Sequence, residues 1–432
     1  MKTVIMAGGK GTRISELFPD IPKPLIPLSD GMVTKPLLEW EIESLSEQGF
    51  TDIILTVSHM ADKIMRHFGD GSAFNVRIEY FIEEQQLGNA GALFKLRDKL
   101  TEDFLLLNAD AVFDIDFNRL VKHHKKSGAI ATLFTHPNSH PYDSGIIVSD
   151  ENGSVQSWLT KEDSRPEYYK NRVNAGIHVL SPEVFHFSQI DGEKVDTNHR
   201  VDLDRNLLKP LCGTGRMYCY DSPEYVKDMG TPDRYEQVKR DFLNGVVKAK
   251  SLKKKQKAIF LDRDGTINKY VGFLRNGDEF SLLPGVTDAI KKINSSGYLA
   301  IVITNQPVIA RGEVSFSGLE EIHNKMETLL GQEGAYLDAI YYCPHHPHKG
   351  YEGEVPELKI DCECRKPKPG LIQKACKDYN IDVESSWMIG DGENDVLCGQ
   401  NAGCKTVLIG TEDYKQNMTV NSLLEAVERI CG

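Results

Sequence analysis

The strongest structural signal in the chain lies at Ala258–Asn268, which reads A-I-F-L-D-R-D-G-T-I-N. Four apolar residues, typical of a buried strand, lead directly into two carboxylates, Asp262 and Asp264. In open α/β sheets, ligands bind outside the carboxyl ends of the strands. Gly265 allows the chain to turn sharply there, so both acids can face one site. Two close carboxylates suit Mg2+, and one of them can attack phosphorus as a nucleophile.

Three later segments fit the same type of site. Thr304 follows the apolar run Leu299–Ile303, Lys366 lies in R-K-P-K-P, and Asp391 ends the run M-I-G-D. Together with D-x-D-G-T, these pieces in this order resemble the motifs of the haloacid dehalogenase-type phosphatases. The resemblance implies that Asp262 is the nucleophile and Asp264 the general acid and base. It also implies that Thr304 binds the phosphoryl oxygens and that Lys366 neutralises their charge.

The same resemblance implies further ligands and contacts. Mg2+ is expected on Asp262, Asp264 and Asp391, with outer support from Asp395. The segment after Thr304 resembles the family's loop T-N-Q-S-G-I-A-R-G, with Pro307 and Val308 where Ser and Gly are usual, which stiffens the loop. Substrate contacts are expected from four side chains, Asn305, Gln306, Arg311 and Arg365.

A cluster of cysteines and histidines follows in the same half of the chain. C-P-H-H-P-H begins at Cys343, and C-E-C begins at Cys362. Three thiolates and one imidazole are a common tetrahedral Zn2+ set, and a chance group of free thiols and surface histidines is the alternative. The pattern resembles the zinc loop of the heptose bisphosphate and histidinol phosphatases. It implies a structural Zn2+ on Cys343, His345, Cys362 and Cys364.

Composition limits the class of protein. The chain has 432 residues, nine cysteines and a formal net charge of -12 at pH 7. The length predicts two or three domains, and the acidic charge argues against nucleic acid as the main partner. No apolar run is long enough to span a bilayer, so no membrane contact is expected. Clustered cysteines and the lack of a secretory signal favour reduced thiols and a cytoplasmic location.

Residues 246–257 carry six lysines and form the clearest boundary. Like charges repel and extend a chain, so this segment is predicted to be a linker between a domain at 1–245 and another at 258–432. Both parts alternate strands with helical stretches. This alternation predicts an α/β protein of two doubly wound, Rossmann-like domains.

The chain begins with an apolar strand, a glycine-rich turn, G-G-K-G-T-R, and then P-K-P. Backbone N–H groups of such a turn approach phosphate closely, and two cations can neutralise a triphosphate; a merely structural turn is the alternative. The combination resembles the signature of the sugar-phosphate nucleotidyltransferases. It implies nucleotide binding by Gly8, Gly9, Gly11 and Thr12, with Arg13 and Lys23 as the catalytic cations.

Later segments resemble other parts of that family in order. A strand ends at Asp110, D-M-G-T-P-D begins at Asp228, and both acids occupy the family's Mg2+ positions. N-A-G-I-H, beginning at Asn174, resembles the strand beside the sugar. Lys161 is expected to hold the sugar phosphate, although Thr160 stands where the family often has Glu, which leaves the sugar contact at that position open.

The segment E-E-Q-Q-L-G-N-A-G-A, beginning at Glu83, resembles the family's base-reading loop and places Gly88 beside the nucleotide. Guanine presents two adjacent donors, which one carboxylate accepts together, whereas uracil and thymine suit an amide better. Glu83 and Glu84 therefore favour GTP. The alternative is that both are solvated loop acids.

The combination of these two families narrows the function. A sugar 1,7-bisphosphate that loses its C7 phosphate becomes the sugar 1-phosphate that a nucleotidyltransferase requires. The resemblance therefore implies heptose 1,7-bisphosphate, heptose 1-phosphate and GTP as substrates and GDP-heptose as the product. Two alternatives stay open: a histidinol-phosphate-type phosphatase joined to a transferase for another sugar, such as mannose 1-phosphate, or a nucleotide-sugar sensor without turnover. The sequence does not indicate the oligomeric state.

Overall fold

The computed structural model describes residues 1–9, 13–83, 88–190, 193–194 and 200–432. The chain divides into two compact units. The first unit comprises Met1–His136, Ile147–Leu159 and Asn174–Ser251, and the second comprises Pro137–Ile146, Thr160–Val173 and Leu252–Gly432. Two short segments encoded within the N-terminal half thus belong to the second unit. The sequence-based domain limits of 1–245 and 258–432 stay a prediction.

The first unit is organised around a large mixed sheet. The strands are β1 Thr3–Met6, β2 Pro27–Ser29, β3 Thr34–Pro36, β4 Asp52–Val57, β5 Arg77–Ile82, β6 Phe104–Asn108, β7 Ala111–Phe113, β8 Ala131–His136, β9 Ile146–Ser149, β10 Val155–Leu159, β11 Val173–Leu180, β12 Gln189–Ile190, β13 Glu193–Lys194, β14 Met217–Asp221 and β15 Val226–Asp228. The helices are α1 Leu37–Glu47, α2 Ala61–Phe68, α3 Gly91–Leu96, α4 Phe117–Ser127, α5 Pro232–Leu243 and α6 Val246–Ala249.

Over the described residues this sheet has nine strands in the order β10-β9-β11-β6-β1-β4-β5, and β8 pairs with β11 and β14. The central strands β1, β4 and β6 run parallel. They read as continuous apolar runs because both of their faces are covered. Ile5 and Leu105 pack on one face and Val4 and Leu106 on the other. The carboxyl ends of β1 and β6 therefore open together at one edge, where Gly8 and Asp110 follow.

The second unit has a parallel sheet. Its strands are β16 Lys257–Leu261, β17 Tyr298–Asn305, β18 Ala339–Cys343, β19 Trp387–Gly390, β20 Lys405–Ile409 and β21 Met418–Val420, and its helices are α7 Val286–Asn294, α8 Phe316–Gln332, α9 Gly370–Asp378, α10 Glu393–Ala402 and α11 Leu423–Cys431. The described strands lie in the order β18-β17-β16-β19-β20-β21. Strand β16 lies between β17 and β19, and the strand order changes direction there: β17 and β18 lie on one side of β16, and β19 to β21 lie on the other. In open α/β sheets such a change of direction forms a crevice at the carboxyl end of the strand, which is here just before Asp262.

The lysine-rich segment differs from the extended linker that its charge predicts. Residues 246–249 form the short helix α6, and Val247 packs into an apolar cluster with Phe242. Lys250 is only 1% exposed, whereas Lys254 and Lys255 are exposed. At the start of this segment, packing of the apolar valines and of the apolar lysine stems outweighs the repulsion between the lysine charges.

Of the helices in the described part of the chain, none combines the length and the apolar character that a bilayer crossing requires.

Candidate active sites

Three carboxylates meet at the carboxyl edge of the second sheet. Oxygens of Asp262, Asp391 and Asp395 lie within 4.8 Å of one another. Gly265 has a φ of +89°, and a β-carbon there would overlap the Asp391 carboxylate, so glycine permits this approach. Burial and the neighbouring Asp395 raise the pKa of Asp262 to about 6. Carboxylates crowded in this way repel one another and fit a hard divalent cation.

Lys366 provides a positive charge inside this cluster. Its Nζ donates to Asp262 Oδ1 and to Asp395 Oδ1, both at 2.6 Å, and its side chain is 3% exposed. Although burial opposes the charge, these two carboxylates raise the pKa of Lys366. Asn305 fixes the lysine backbone, because its Oδ1 accepts from Lys366 N at 3.0 Å and its Nδ2 donates to Lys366 O at 3.1 Å. Asn305 therefore positions the lysine, a contact that the motif did not indicate.

The carboxylate of Asp264 lies in a different network. Arg263, which is fully buried, donates through Nη2 to both of its oxygens, at 3.0 and 2.8 Å. Gln306 Nε2 donates to Asp264 Oδ2 at 2.9 Å and to Thr304 Oγ1 at 2.8 Å. Among the described residues, the carboxylates at this site that could together hold a metal ion are thus those of Asp262, Asp391 and Asp395, without that of Asp264. The physical reason is Arg263, since a buried guanidinium requires an anionic partner.

The two arginines predicted to contact substrate lie against the loop that carries the cysteines. Arg311 stacks between the rings of Phe273 and Tyr351, with its guanidinium carbon 4.0 and 4.3 Å from their centroids, and pairs with Glu313 at 2.6 Å. Arg365 Nη1 donates to His345 O at 3.2 Å. The structure therefore links both arginines to this loop, and their contact with substrate stays a prediction.

The predicted cysteine and histidine ligands come together. Donor atoms of Cys343, His345, Cys362 and Cys364 all lie within 4.8 Å of one another. The three Sγ–Sγ distances are 3.2, 3.2 and 3.5 Å. These distances are close to the edge of ~3.8 Å that a tetrahedron with a metal–sulfur bond of 2.3 Å would have. Three thiols and an imidazole in this arrangement can hold a closed four-coordinate metal.

The first unit contains a cavity of about 510 Å3 at the carboxyl ends of β1 and β6. Gly8, Gly9 and Gly88 line it, as do Arg13, Lys23 and Asp110. Lys23 Nζ donates to Asp110 Oδ2 at 2.9 Å. A cavity with glycine backbone, two cations and a carboxylate suits a polyphosphate with its metal ion. Gly11, Thr12 and Glu84 lie outside the described residues.

Gly230 marks the point where the charged groups of this cavity converge. A β-carbon at Gly230 would lie 2.8 Å from Asp228 Oδ1, 3.6 Å from Arg13 Nη2 and 3.9 Å from Lys23 Nζ. Arg234 donates to both oxygens of Asp228 at 3.0 and 2.8 Å. Although burial opposes it, Arg234 and the Gly230 N–H lower the pKa of Asp228. The sequence did not indicate Arg234, although it directly follows the motif D-M-G-T-P-D.

Glu83 is the first residue of the segment predicted to read the base. It lines the cavity, and burial raises the pKa of its carboxyl group. A β-carbon on Gly8 would lie 2.8 Å from Glu83 Oε2, so glycine at this position lets the carboxylate approach the first turn. Arg200 also lines the cavity, and sequence reasoning missed it because it belongs to no motif.

The residues expected near the sugar are divided between the units. Asn174 begins the first unit's part of β11, and its Oδ1 lies 3.0 Å from His178 Nε2. Lys161 belongs to the second unit, where its Nζ lies 3.8 Å from Asp143 Oδ1. Its role at the sugar phosphate therefore stays a prediction.

His178 gives a testable dependence of stability on pH. It is fully buried, and burial lowers its pKa to about 3. Between that value and an ordinary histidine pKa near ~6.5, the unfolded chain binds a proton that the folded chain does not, so stability falls as pH falls. From pH 6.5 to pH 5 the loss from this group should be roughly 2 kcal/mol. His178→Phe should remove this part of the dependence, measured as urea midpoints at pH 7.5 and 5. Parallel changes in variant and wild type would contradict the assignment.

The two sites define the class of protein. A buried lysine among carboxylates and a glycine-lined cationic cavity both serve phosphoryl transfer, which indicates a hydrolase joined to a nucleotidyltransferase. Residues 2–245 match the family model described as nucleotidyl transferase, and residues 363–426 match the HAD-hydrolase-like model. The chain is 41% identical over 181 residues to the D-glycero-beta-D-manno-heptose-1,7-bisphosphate 7-phosphatase of Haemophilus ducreyi, covering 40% of this chain and 97% of that protein. The chain belongs to the nucleotidyl transferase family and also to the family of that phosphatase.

Two further relatives match the chain, one for each of its two parts. The chain is 40% identical over 171 residues to the D-glycero-alpha-D-manno-heptose-1,7-bisphosphate 7-phosphatase of Photorhabdus laumondii, covering 39% of this chain and 91% of that protein. It is 32% identical over 263 residues to the UTP–glucose-1-phosphate uridylyltransferase of Synechocystis, covering 57% of this chain and 65% of that protein. The predictions of an α/β fold and of a bifunctional phosphatase and nucleotidyltransferase are confirmed.

Proposed function

We propose that the chain makes GDP-heptose in two steps. The phosphatase part removes the C7 phosphate of D-glycero-D-manno-heptose 1,7-bisphosphate. The nucleotidyltransferase part then joins the heptose 1-phosphate to GMP from GTP and releases pyrophosphate. The observation that carries this proposal is the presence of both sites in one chain whose phosphatase relatives act on heptose 1,7-bisphosphate. The cysteines are free thiols, which fits the cytoplasm, where GTP is available.

The phosphatase chemistry follows from the positions of the acids. The Asp262 carboxylate attacks phosphorus, and the sugar oxygen leaves with a proton from Asp264. Water then hydrolyses the aspartyl phosphate, and Asp264, which Arg263 and Gln306 hold in place and which has just given up its proton, accepts the proton of that water. Asp262, Asp391 and Asp395 fit Mg2+, which when bound would balance the charge of the phosphoryl group.

Lys366 and Thr304 support the same reaction. Lys366 already contacts the nucleophile at 2.6 Å and can balance the charge that develops on the phosphoryl oxygens. Thr304 is held by Gln306 at 2.8 Å and would donate its hydroxyl hydrogen to one of those oxygens.

The nucleotidyltransferase requires no covalent intermediate. An oxygen of the sugar 1-phosphate attacks the α-phosphorus of the nucleotide, and pyrophosphate leaves. Arg13 and Lys23 would hold the phosphates, and Asp110 and Asp228 would be the ligands of Mg2+, for which the Asp228 carboxylate would have to share its oxygens with Arg234. Glu83 would accept the two adjacent donors of guanine, which is our reason for choosing GTP.

We further propose that the metal of the cysteine cluster is structural Zn2+. Four protein ligands leave no open coordination position, which is typical of structural sites. The loop continues into Arg365 and Lys366, so the metal would help to place the catalytic lysine.

Cys364→Ser should release this metal. Because structural zinc contributes directly to folding, we expect a lower melting temperature and a loss of metal affinity of roughly 10–100-fold. Metal content by mass spectrometry and phosphate release should fall together, while pyrophosphate release should change little. Cys431→Ser, at a cysteine outside the cluster, is the control. A Cys364→Ser protein with full zinc content would contradict the assignment.

The proposal is tested by incubating the purified protein with heptose 1,7-bisphosphate, GTP and Mg2+ and recording 31P NMR spectra. We expect inorganic phosphate, pyrophosphate and a GDP-sugar. Replacement of GTP by ATP, UTP or CTP tests the argument from Glu83. Phosphate without a nucleotide sugar would overturn the transferase assignment, and the absence of phosphate would overturn the heptose bisphosphate assignment.

A further inference from the structure

A buried histidine lies behind the acids of the phosphatase site and belongs to none of its motifs. His323 is on α8, and it is only 7% exposed. Its Nε2 lies 3.3 Å from Nη1 of Arg263, the residue between Asp262 and Asp264. Tyr342 on β18 packs against the imidazole, with the two ring centroids 5.7 Å apart. None of the steps proposed for phosphate removal uses His323.

The hydrogen bond between His323 and Arg263 has only one possible direction. A guanidinium group has N–H donors and no acceptor, so Nη1 of Arg263 donates and Nε2 of His323 accepts. The imidazole is therefore neutral, and its other nitrogen carries the proton. Burial and the charge of Arg263 both lower the pKa of His323, which agrees with the neutral form.

Arg263 is fully buried, and its acceptors lie at both ends of its planar group. Asp264 accepts from Nε at 3.3 Å and from Nη2, and Gln306 Oε1 accepts from Nη2 at 2.9 Å. His323 accepts from the remaining nitrogen, Nη1. Because the donors of a guanidinium form a rigid fork, these contacts together fix the plane in which it lies.

The guanidinium in turn orients two side chains of the reaction. Asp264 is held by Arg263, and its Oδ1 also accepts from Asn268 Nδ2 at 3.0 Å. Since Gln306 Oε1 accepts from Arg263, the orientation of the Gln306 amide is fixed. Its Nε2 donates to Asp264 Oδ2 and to Thr304 Oγ1. The hydroxyl hydrogen of Thr304 is therefore not used by Gln306 and can be donated to a phosphoryl oxygen.

We propose that His323 is a positioning residue of the phosphatase reaction, which through Arg263 orients the carboxylate of Asp264 for proton transfer and the amide of Gln306. A neutral acceptor is required at this place. A cation would repel Arg263, and an apolar side chain would leave a buried N–H group unpaired. This inference rests on the proposed function, because it takes Asp264 as the general acid and base.

The test compares two variants of His323 in the full-length chain. Phenylalanine fills the space but accepts no hydrogen bond, so His323→Phe should lower kcat for phosphate release from heptose 1,7-bisphosphate by about 10–100-fold, a part of what general acid–base catalysis contributes. KM should stay within about threefold, because His323 is not a predicted substrate contact. Glutamine offers Oε1 as an acceptor, so His323→Gln should have a kcat within about threefold of wild type.

Two further comparisons separate positioning from a general loss of structure. Ile322→Val, next to His323 on α8, removes a methyl group from the apolar core and should lower the melting temperature without lowering kcat. Arg263→Met removes the group through which His323 acts, so adding His323→Phe to that variant should cost less than about threefold more. Pyrophosphate release by His323→Phe should stay within about twofold of wild type, because it uses a different site.

The outcomes distinguish this inference from the proposal on which it rests. A folded His323→Phe protein with wild-type kcat would overturn the inference, as would equal losses from His323→Phe with and without Arg263, or a His323→Gln protein as slow as His323→Phe. Wild-type kcat in Asp264→Asn would overturn the proposed role of Asp264 and the inference with it.

The choice of substrate is decided separately. If wild type releases phosphate only from another sugar phosphate, the heptose assignment fails, and the same comparisons made with that sugar phosphate still decide the role of His323. A wild type that releases no phosphate overturns both.

Discussion

Replacing Asp262 with Asn should reduce phosphate release from heptose 1,7-bisphosphate by on the order of 10^4-fold or more, because the amide cannot act as the nucleophile. The change is nearly isosteric, and Lys366 keeps its contact with Asp395 at 2.6 Å, so the buried lysine is not left without a charged partner. Pyrophosphate release from heptose 1-phosphate and GTP should stay within about twofold of wild type, because that reaction uses a different site.

The matched control is Asp288→Asn in the same unit. Asp288 is 65% exposed and pairs with Lys291 on the surface of α7, so this change should leave both reactions intact. Phosphate release by Asp262→Asn within about tenfold of wild type would exclude Asp262 as the nucleophile. Loss of both activities together would point instead to a folding defect.

Replacing Asp110 with Asn should give the second largest effect, a loss of roughly 10^2–10^3-fold in nucleotidyl transfer. The side chain is 46% exposed at the cavity and holds Lys23 at 2.9 Å. The variant therefore removes a carboxylate that we propose as an Mg2+ ligand and also releases the Lys23 ammonium group from its position. We expect most of the loss in kcat, because charge develops as pyrophosphate leaves.

Two measurements make this prediction specific. Raising the Mg2+ concentration should restore little of the pyrophosphate release of Asp110→Asn, because added Mg2+ does not return Lys23 to the position that the Asp110 carboxylate gives it. The control is Asp98→Asn, at a side chain that is 93% exposed, and it should have no effect on either reaction. Transfer by Asp110→Asn at the wild-type rate would remove Asp110 from the proposed site.

The sequence was sufficient to predict which residues come together where this depends on the order of strands in a sheet or on a short separation along the chain. Asp262 and Asp391 directly follow β16 and β19, and Thr304 lies at the carboxyl end of the neighbouring strand β17, so strand order alone brings these residues to one edge of the sheet. The thiol ligands are close in sequence as well as in space. In these cases, short-range patterns and the topology of a parallel sheet were sufficient.

The sequence could not predict contacts that depend on the direction in which a side chain points and on the groups that it meets in the folded chain. Arg263 is not among the predicted site residues, yet it is fully buried and holds the Asp264 carboxylate. Arg200 and Arg234 border or support the nucleotide cavity without belonging to a motif. The lysine-rich segment is not extended throughout, because a count of charges does not show where apolar packing, as at Val247, outweighs their repulsion.

The two segments at 137–146 and 160–173 have a consequence for how such a protein can be assembled in evolution. A gene fusion joins its parents at one point, yet the compact units of this chain interleave along the sequence. A single crossover near residue 250 would separate these segments from helix α8, with which they form contacts in the second unit. Chimaeras that exchange only one half should fold less stably than those that also exchange these segments, and inheritance of the two halves as one gene is thereby favoured.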